Sequence, residues 1–142
     1  MGAAYYVGVD ADLYTDHGYL AAFAGVDNKK IIEVIEAILE EFKKMAVQKV
    51  AEKELQKAKD HLTGTMMISL ETADALANFY GGQELMTKEI LTPKELAVKI
   101  QAVKAEEIQA VAKDIFQNNK LNLAIIGPFK DKERFEKILT LR

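Results

Sequence analysis

The chain has 142 residues, a formal net charge of −3, 49% apolar and 29% charged residues, and no cysteine. That length suits one domain with a single core, and the composition is that of a soluble globular protein. It lacks the basic stripe that nucleic acid requires, no apolar run approaches the roughly 18 residues of a membrane span, and the absence of cysteine excludes disulfides and thiol catalysis. Nothing in these residues names a compartment.

The opening Met1-Gly2-Ala3-Ala4-Tyr5-Tyr6-Val7-Gly8-Val9 reads as a β-strand already under way, with no cap or linker ahead of it, and predicts a fragment of a longer parent. From Ala4 to Ala11 the period is two, with Tyr5, Val7, Val9 and Ala11 on one face and Tyr6, Gly8 and Asp10 on the other. A polar turn around Asp16-His17-Gly18 leads into a return strand, Tyr19 to Val26, so an antiparallel hairpin is expected. Of Tyr5 and Tyr6, one is expected in the core and the other against an opening.

From Asp27 the period changes to three and four. Ile31, Val34, Ile35, Ile38, Leu39, Phe42 and Met45 form the apolar stripe of a long helix capped by Asp27 or Asn28, with Glu33, Glu36, Glu40 and Glu41 on its solvated face. A second helix runs from about Glu52 to Leu70 with Gly64 inside it, where close packing or a bend is expected because glycine costs about 1 kcal/mol there. Glu71 to Leu85 continues helical with Ala75, Leu76, Phe79 and Tyr80 inward, and Gly81-Gly82 is expected to loosen or bend it. Thr92-Pro93-Lys94-Glu95 is a capping box with proline at the first helical position. A helix over Ala105 to Phe116 follows, with Ile108, Val111, Ala112 and Ile115 inward. The run Leu121 to Gly127 is expected as a third, central strand, and Asp131 to Thr140 as a closing helix. The fold class is α+β: a small antiparallel or mixed sheet with a helical layer on it, few strands for so many helices, and an uncovered edge that invites self-association.

The chemistry-bearing residues are sparse. His17 in a turn and His61 in a helix have no partner at a metal-ligand spacing, so both are read as ordinary polar side chains and no metal site is assigned. Ser69, the only serine, is expected to bond a backbone carbonyl. Tyr5, Tyr6 and Tyr14 remain, as space-filling aromatics or as a phenol able to donate to a developing oxyanion.

These residues carry a resemblance. Gly2-Ala3-Ala4-Tyr5-Tyr6-Val7, the turn at Asp16-His17-Gly18 and Ala24-Gly25-Val26-Asp27 before a long helix resemble the C-terminal domain of the pitrilysin or insulinase-like zinc peptidases, the M16 family that includes the mitochondrial processing peptidases. So do Glu54 to Lys59, Leu62-x-Gly64, Ser69-Leu70-Glu71, Tyr80-Gly81-Gly82-Gln83-Glu84-Leu85, the Thr92 capping box and Leu121 to Pro128, in order over essentially the whole chain. Lys104 departs, standing where the family often has a threonine cap.

The resemblance implies residues 1–142 as a single, truncated M16-type domain, the C-terminal part of the family's C-terminal domain. It implies a substrate-chamber role in a zinc metalloendopeptidase. The zinc and the general base would be supplied by the parent's N-terminal domain, so the chain alone would be inactive. Tyr5 matches a family tyrosine that steadies the reaction near the scissile peptide, and its companion arginine would fall before Met1. The implied partners are a polypeptide substrate and the parent's N-terminal domain or a partner subunit. The alternative implied is a non-catalytic structural or partner-subunit domain of the same family.

Overall fold

The computed structural model describes residues 4–141, so the expected strand opening at Met1, Gly2 and Ala3 lies outside the described residues. The elements are β1 (Ala4–Leu13), β2 (Gly18–Val26), α1 (Ile31–Val47), α2 (Glu52–Ser69), α3 (Ala73–Met86), α4 (Pro93–Ala102), α5 (Ala105–Ile115) and α6 (Glu133–Glu136), with a 3₁₀ turn at Asn118–Lys120. The α+β class stands. The chain divides into two compact units, the second formed by Leu13–His17 and Val50–Glu107 and the first by the remainder.

In the first unit, α1 supplies the core. Ile31, Ile35 and Leu39 recur every fourth residue and are buried as one stripe, joined by Phe135 of α6 and flanked by Val26, Leu121, Ile125, Phe129, Ile138 and Leu139. Phe42 stacks on Phe116 with ring centroids 4.4 Å apart. The opposite face is solvated as the sequence predicts, and Lys44 meets Glu41 at 2.8 Å across it. The helix start differs. Lys30 is the N-cap, without a side-chain cap bond, whereas Asp27 accepts the Lys29 N–H at 2.8 Å and forms a turn ahead of the helix. Aspartate reaches its own backbone two residues on more readily than a helix that starts further away.

The expected third strand is corrected. Among the described residues the sheet has two strands, β1 and β2, and the run Leu121 to Gly127 joins no ladder. Leu121 and Ile125 pack on the core, while Leu123 is 38% exposed and Ile126 fully so, which is not the burial of a central strand. A strand is completed by a neighbour's hydrogen bonds, and a short apolar run does not provide them. The closing helix is also shorter than expected, four residues in α6, because the tail is drawn back instead. Asn118 Oδ1 accepts the Leu141 N–H at 2.7 Å and the Thr140 hydroxyl at 3.3 Å.

In the second unit α2 packs on α4. Leu55 is buried, and so is Lys59, whose ammonium donates to the Gln101 carbonyl at 3.0 Å at the end of α4. Gln101 also donates to Asp60 at 3.2 Å and accepts from Gln56 at 2.9 Å, so a polar seam satisfies this contact. The α3 to α4 connection is clasped by Gln83, whose amide accepts the Leu91 N–H at 2.9 Å and donates to the Leu91 carbonyl at 3.1 Å. The Thr92 capping box is present, with the Thr92 N–H bonded to Glu95 at 2.8 Å and the Glu95 N–H to the Thr92 hydroxyl at 3.3 Å.

The close packing expected at Gly64 is not found. Helices α2 and α3 run unbroken through Gly64 and through Gly81-Gly82, and a methyl group added at any of the three would meet open space. Val111 corrects a second detail, since it is 59% exposed while Ala112 beside it is buried.

Candidate functional site

The hairpin holds the residues singled out for chemistry. Gly8 and Phe23 face each other across the two strands, as do Tyr6 and Gly25, and a methyl group on either glycine would overlap the opposing ring. That fixes an antiparallel register in which Tyr6, Gly8, Phe23 and Gly25 share one face. The period of two then puts Tyr5, Val7 and Val9 on the other face, the side on which Val26 reaches the core beside α1.

The expected split between Tyr5 and Tyr6 does not occur. Tyr5 is 80% and Tyr6 63% exposed, so neither ring is in the core. The cause is coverage: α1 packs on β2, while β1 is exposed along nearly its whole length. Tyr6 is occupied in covering Gly25. Tyr5 stands on an apolar strip with Val7 and Val9, its phenol toward solvent and able to donate a hydrogen bond to a bound peptide.

The turn residues form their own small group in the second unit. His17 stacks on Tyr14 at 4.5 Å between ring centroids, and its Nδ1 lies 2.6 Å from Asp16 Oδ1. Both side chains of that pair are more than half exposed, which makes it a turn brace with little energetic weight. His61 lies on α2, and Ser69 donates to the Met66 carbonyl at 2.9 Å as expected.

Among the described residues no group of three or more histidine, cysteine, aspartate or glutamate side chains is placed to hold a metal ion. The described residues therefore do not fit a zinc site, and no chemical step through zinc can be built from them. No helix among the described residues is long and apolar enough to cross a membrane. A shallow groove of about 190 Å³ between α1 and the C-terminal tail, edged by Glu36, Leu39, Lys43 and Lys137, is smaller than ordinary ligand pockets. The candidate surface considered is the outer strand of the hairpin.

Two groups are held in shifted protonation by the helix starts. The Thr92 hydroxyl and backbone N–H hold the Glu95 carboxyl below the usual glutamate range, with Lys99 assisting. The Thr72 hydroxyl, then backbone N–H groups, do the same for Asp74. Both acids lie in the first turn of a helix, beside its N-cap threonine.

The arrangement is that of a helix-backed hairpin domain presenting an exposed aromatic and aliphatic strand, without a metal centre of its own among the described residues. The Peptidase M16 inactive domain family matches residues 1–62. An uncharacterized zinc protease of Streptomyces coelicolor is 28% identical over 132 residues, covering 93% of this chain and 28% of that protein. The human mitochondrial-processing peptidase subunit alpha is 33% identical over 127 residues, covering 89% of this chain and 24% of that protein. A zinc protease of Bacillus subtilis is 28% identical over 127 residues, covering 89% and 31%. In structure the chain is similar to a chain of complex III2 from Candida albicans, with a TM-score of 0.68 at 17% identity over 76% of this chain and 26% of that one, which bears on the fold alone. The chain matches the C-terminal domain of the M16 peptidase family. It spans about a quarter to a third of the length of these curated relatives.

Proposed function

We propose that this chain acts as a substrate-chamber domain of an M16-family zinc metalloendopeptidase. Residues 1–142 are, on this reading, one domain's C-terminal part within a longer polypeptide. The N-terminal domain of that polypeptide supplies the zinc and general base, and the chain by itself is inactive. The observation that carries the reading is Tyr5: it falls where the family pattern has its tyrosine, and its ring is 80% exposed on an apolar strip rather than consumed by packing. A peptide lying along that strip would bury Val7 and Val9 and receive the phenol proton as a hydrogen bond, a contact that strengthens as carbonyl oxygen gains charge. The partners of this reading are a polypeptide substrate, the N-terminal domain or a partner subunit, and a second copy met through the exposed sheet edge.

A non-catalytic reading has its own support. The matching family is described as an inactive domain, and one relative is a subunit of a peptidase, which suits a structural or partner-subunit domain. Tyr5→Phe in the longer polypeptide separates the two. The chamber reading expects turnover to fall by about 100-fold, the usual loss for one oxyanion donor, with little change in KM. Unchanged turnover would reduce Tyr5 to a surface aromatic. The purified 142-residue chain, given unfolded peptides and zinc, is expected to cleave nothing, and zinc-dependent cleavage would overturn the assignment of the metal to another domain.

A further inference from the structure

The chain has two arginines, and one of them, Arg134, is held against a corner of aromatic rings. Its guanidinium carbon lies 4.9 Å from the centroid of Phe135 and 5.8 Å from that of Phe129, and the two rings meet edge-on at 5.4 Å. Both rings are held in place. Phe135 is buried in the core of the first unit, and Phe129 lies against the backbone of Gly127, where a methyl group would overlap it. Stacking of this kind engages the face of a guanidinium and leaves the N–H donors along its edge for other partners. Among the described residues those donors have no hydrogen bond and no ion pair, and the side chain is exposed. Of the acids close by in the chain, Glu136 pairs with Lys132 at 2.7 Å and Asp131 accepts the Glu133 N–H at 3.0 Å. Glu133 is next to Arg134 on α6, where adjacent residues do not face each other.

We propose that Arg134 binds the carboxylate of an acidic side chain on a partner polypeptide. The edge of a guanidinium offers two parallel N–H donors at the spacing of two carboxylate oxygens, and a fork held flat in advance loses little freedom on binding. The half-buried Phe129 ring beside it gives the methylenes of a glutamate an apolar surface to cover. Phosphate has no such stem and leaves that surface bare. The site is independent of the role given to Tyr5, so either can fail without the other.

With two arginines, the chain gives two arginine Nε signals in a nitrogen magnetic resonance spectrum, and Arg134→Lys assigns them. The probes are the peptides Ala-Glu-Ala and Ala-Gln-Ala blocked at both ends, Ala-Ala-Ala with a free C-terminal carboxylate, and inorganic phosphate, all at one ionic strength. The glutamate peptide is expected to shift the Arg134 signal to saturation, and the glutamine peptide to leave it in place. Arg134→Lys, at an exposed position, keeps the charge and loses the fork, so it is expected to bind the glutamate peptide about tenfold more weakly, read from the backbone amides of Phe129 and Phe135. No saturation on the unsubstituted chain, an equal shift with the glutamine peptide, or unchanged affinity in Arg134→Lys would overturn the site. Tighter binding of phosphate, or of the peptide with the free terminus, would overturn its assignment to an acidic side chain.

Discussion

Phe135 is the best single test of how the first unit holds together. It sits on α6, a helix of four residues, far too short to persist without tertiary packing. Its ring is 7% exposed, joins Ile31, Ile35 and Leu39 in the core, meets the Phe129 ring edge-on at 5.4 Å, and lies 4.9 Å from the Arg134 guanidinium. Phe135→Ala removes the transfer energy of the ring and leaves a cavity under α1, together about 3–5 kcal/mol. Against a total of about 5–15 kcal/mol for a domain, that is a large fraction. The expected midpoint shift in a thermal melt is on the order of 10–15 °C for a chain of this size. Urea unfolding followed by far-ultraviolet circular dichroism gives the free energy, and amide exchange in α1 should accelerate with it. Phe135→Leu, which keeps most of the volume, is expected to lose only about 1 kcal/mol. A loss below about 1 kcal/mol for Phe135→Ala would refute the claim that the α1 stripe depends on this ring.

Two further predictions concern helix ends. Thr92→Ala is expected to cost about 1 kcal/mol by deleting the cap of α4, read by urea unfolding; because Glu95 is held below its usual range, the stabilisation from its charged form is complete above about pH 4.3 and is lost as pH falls through the lowered folded value, so the wild type should lose more on acidification than the variant. Lys88 has φ of 56° just past α3 and its N–H reaches the Gln83 carbonyl at 3.0 Å, so Lys88→Gly should raise stability by about 1 kcal/mol, and a lower melting temperature would contradict it.

Where the sequence was legible, one local rule decided the outcome. Ile31, Ile35 and Leu39 mark the buried stripe of α1, Ala75, Leu76, Phe79 and Tyr80 the inner side of α3, and Thr92 with Glu95 the start of α4, because helix periodicity and capping are settled within a few residues of chain. The failures needed information from farther away. Leu121 to Gly127 has strand composition, yet a ladder depends on which other segment lies beside it. The Asn118 side chain that gathers in the tail, the buried Lys59 beneath the end of α4 and the Gln83 clasp on Leu91 are long-range hydrogen bonds that no period announces. The place of Tyr5 on the first strand was readable and its exposure was not. Its exposure follows from α1 packing on β2 and leaving β1 uncovered.

That asymmetry separates what folds this chain from what it offers to other molecules. The buried cluster of the first unit comes from α1 and α6, with β2 contributing Val26, and β1 supplies nothing to it. β1 is instead braced from within the hairpin, where Tyr6 covers Gly25 and Phe23 covers Gly8, so that each bare stretch of backbone is shielded by a ring from the opposite strand. The brace uses one face and leaves Tyr5, Val7 and Val9 on the other without work in the core. A substitution at Tyr5 therefore acts on contacts outside the fold, which is why losing its phenol tests function and losing the Phe135 ring tests stability.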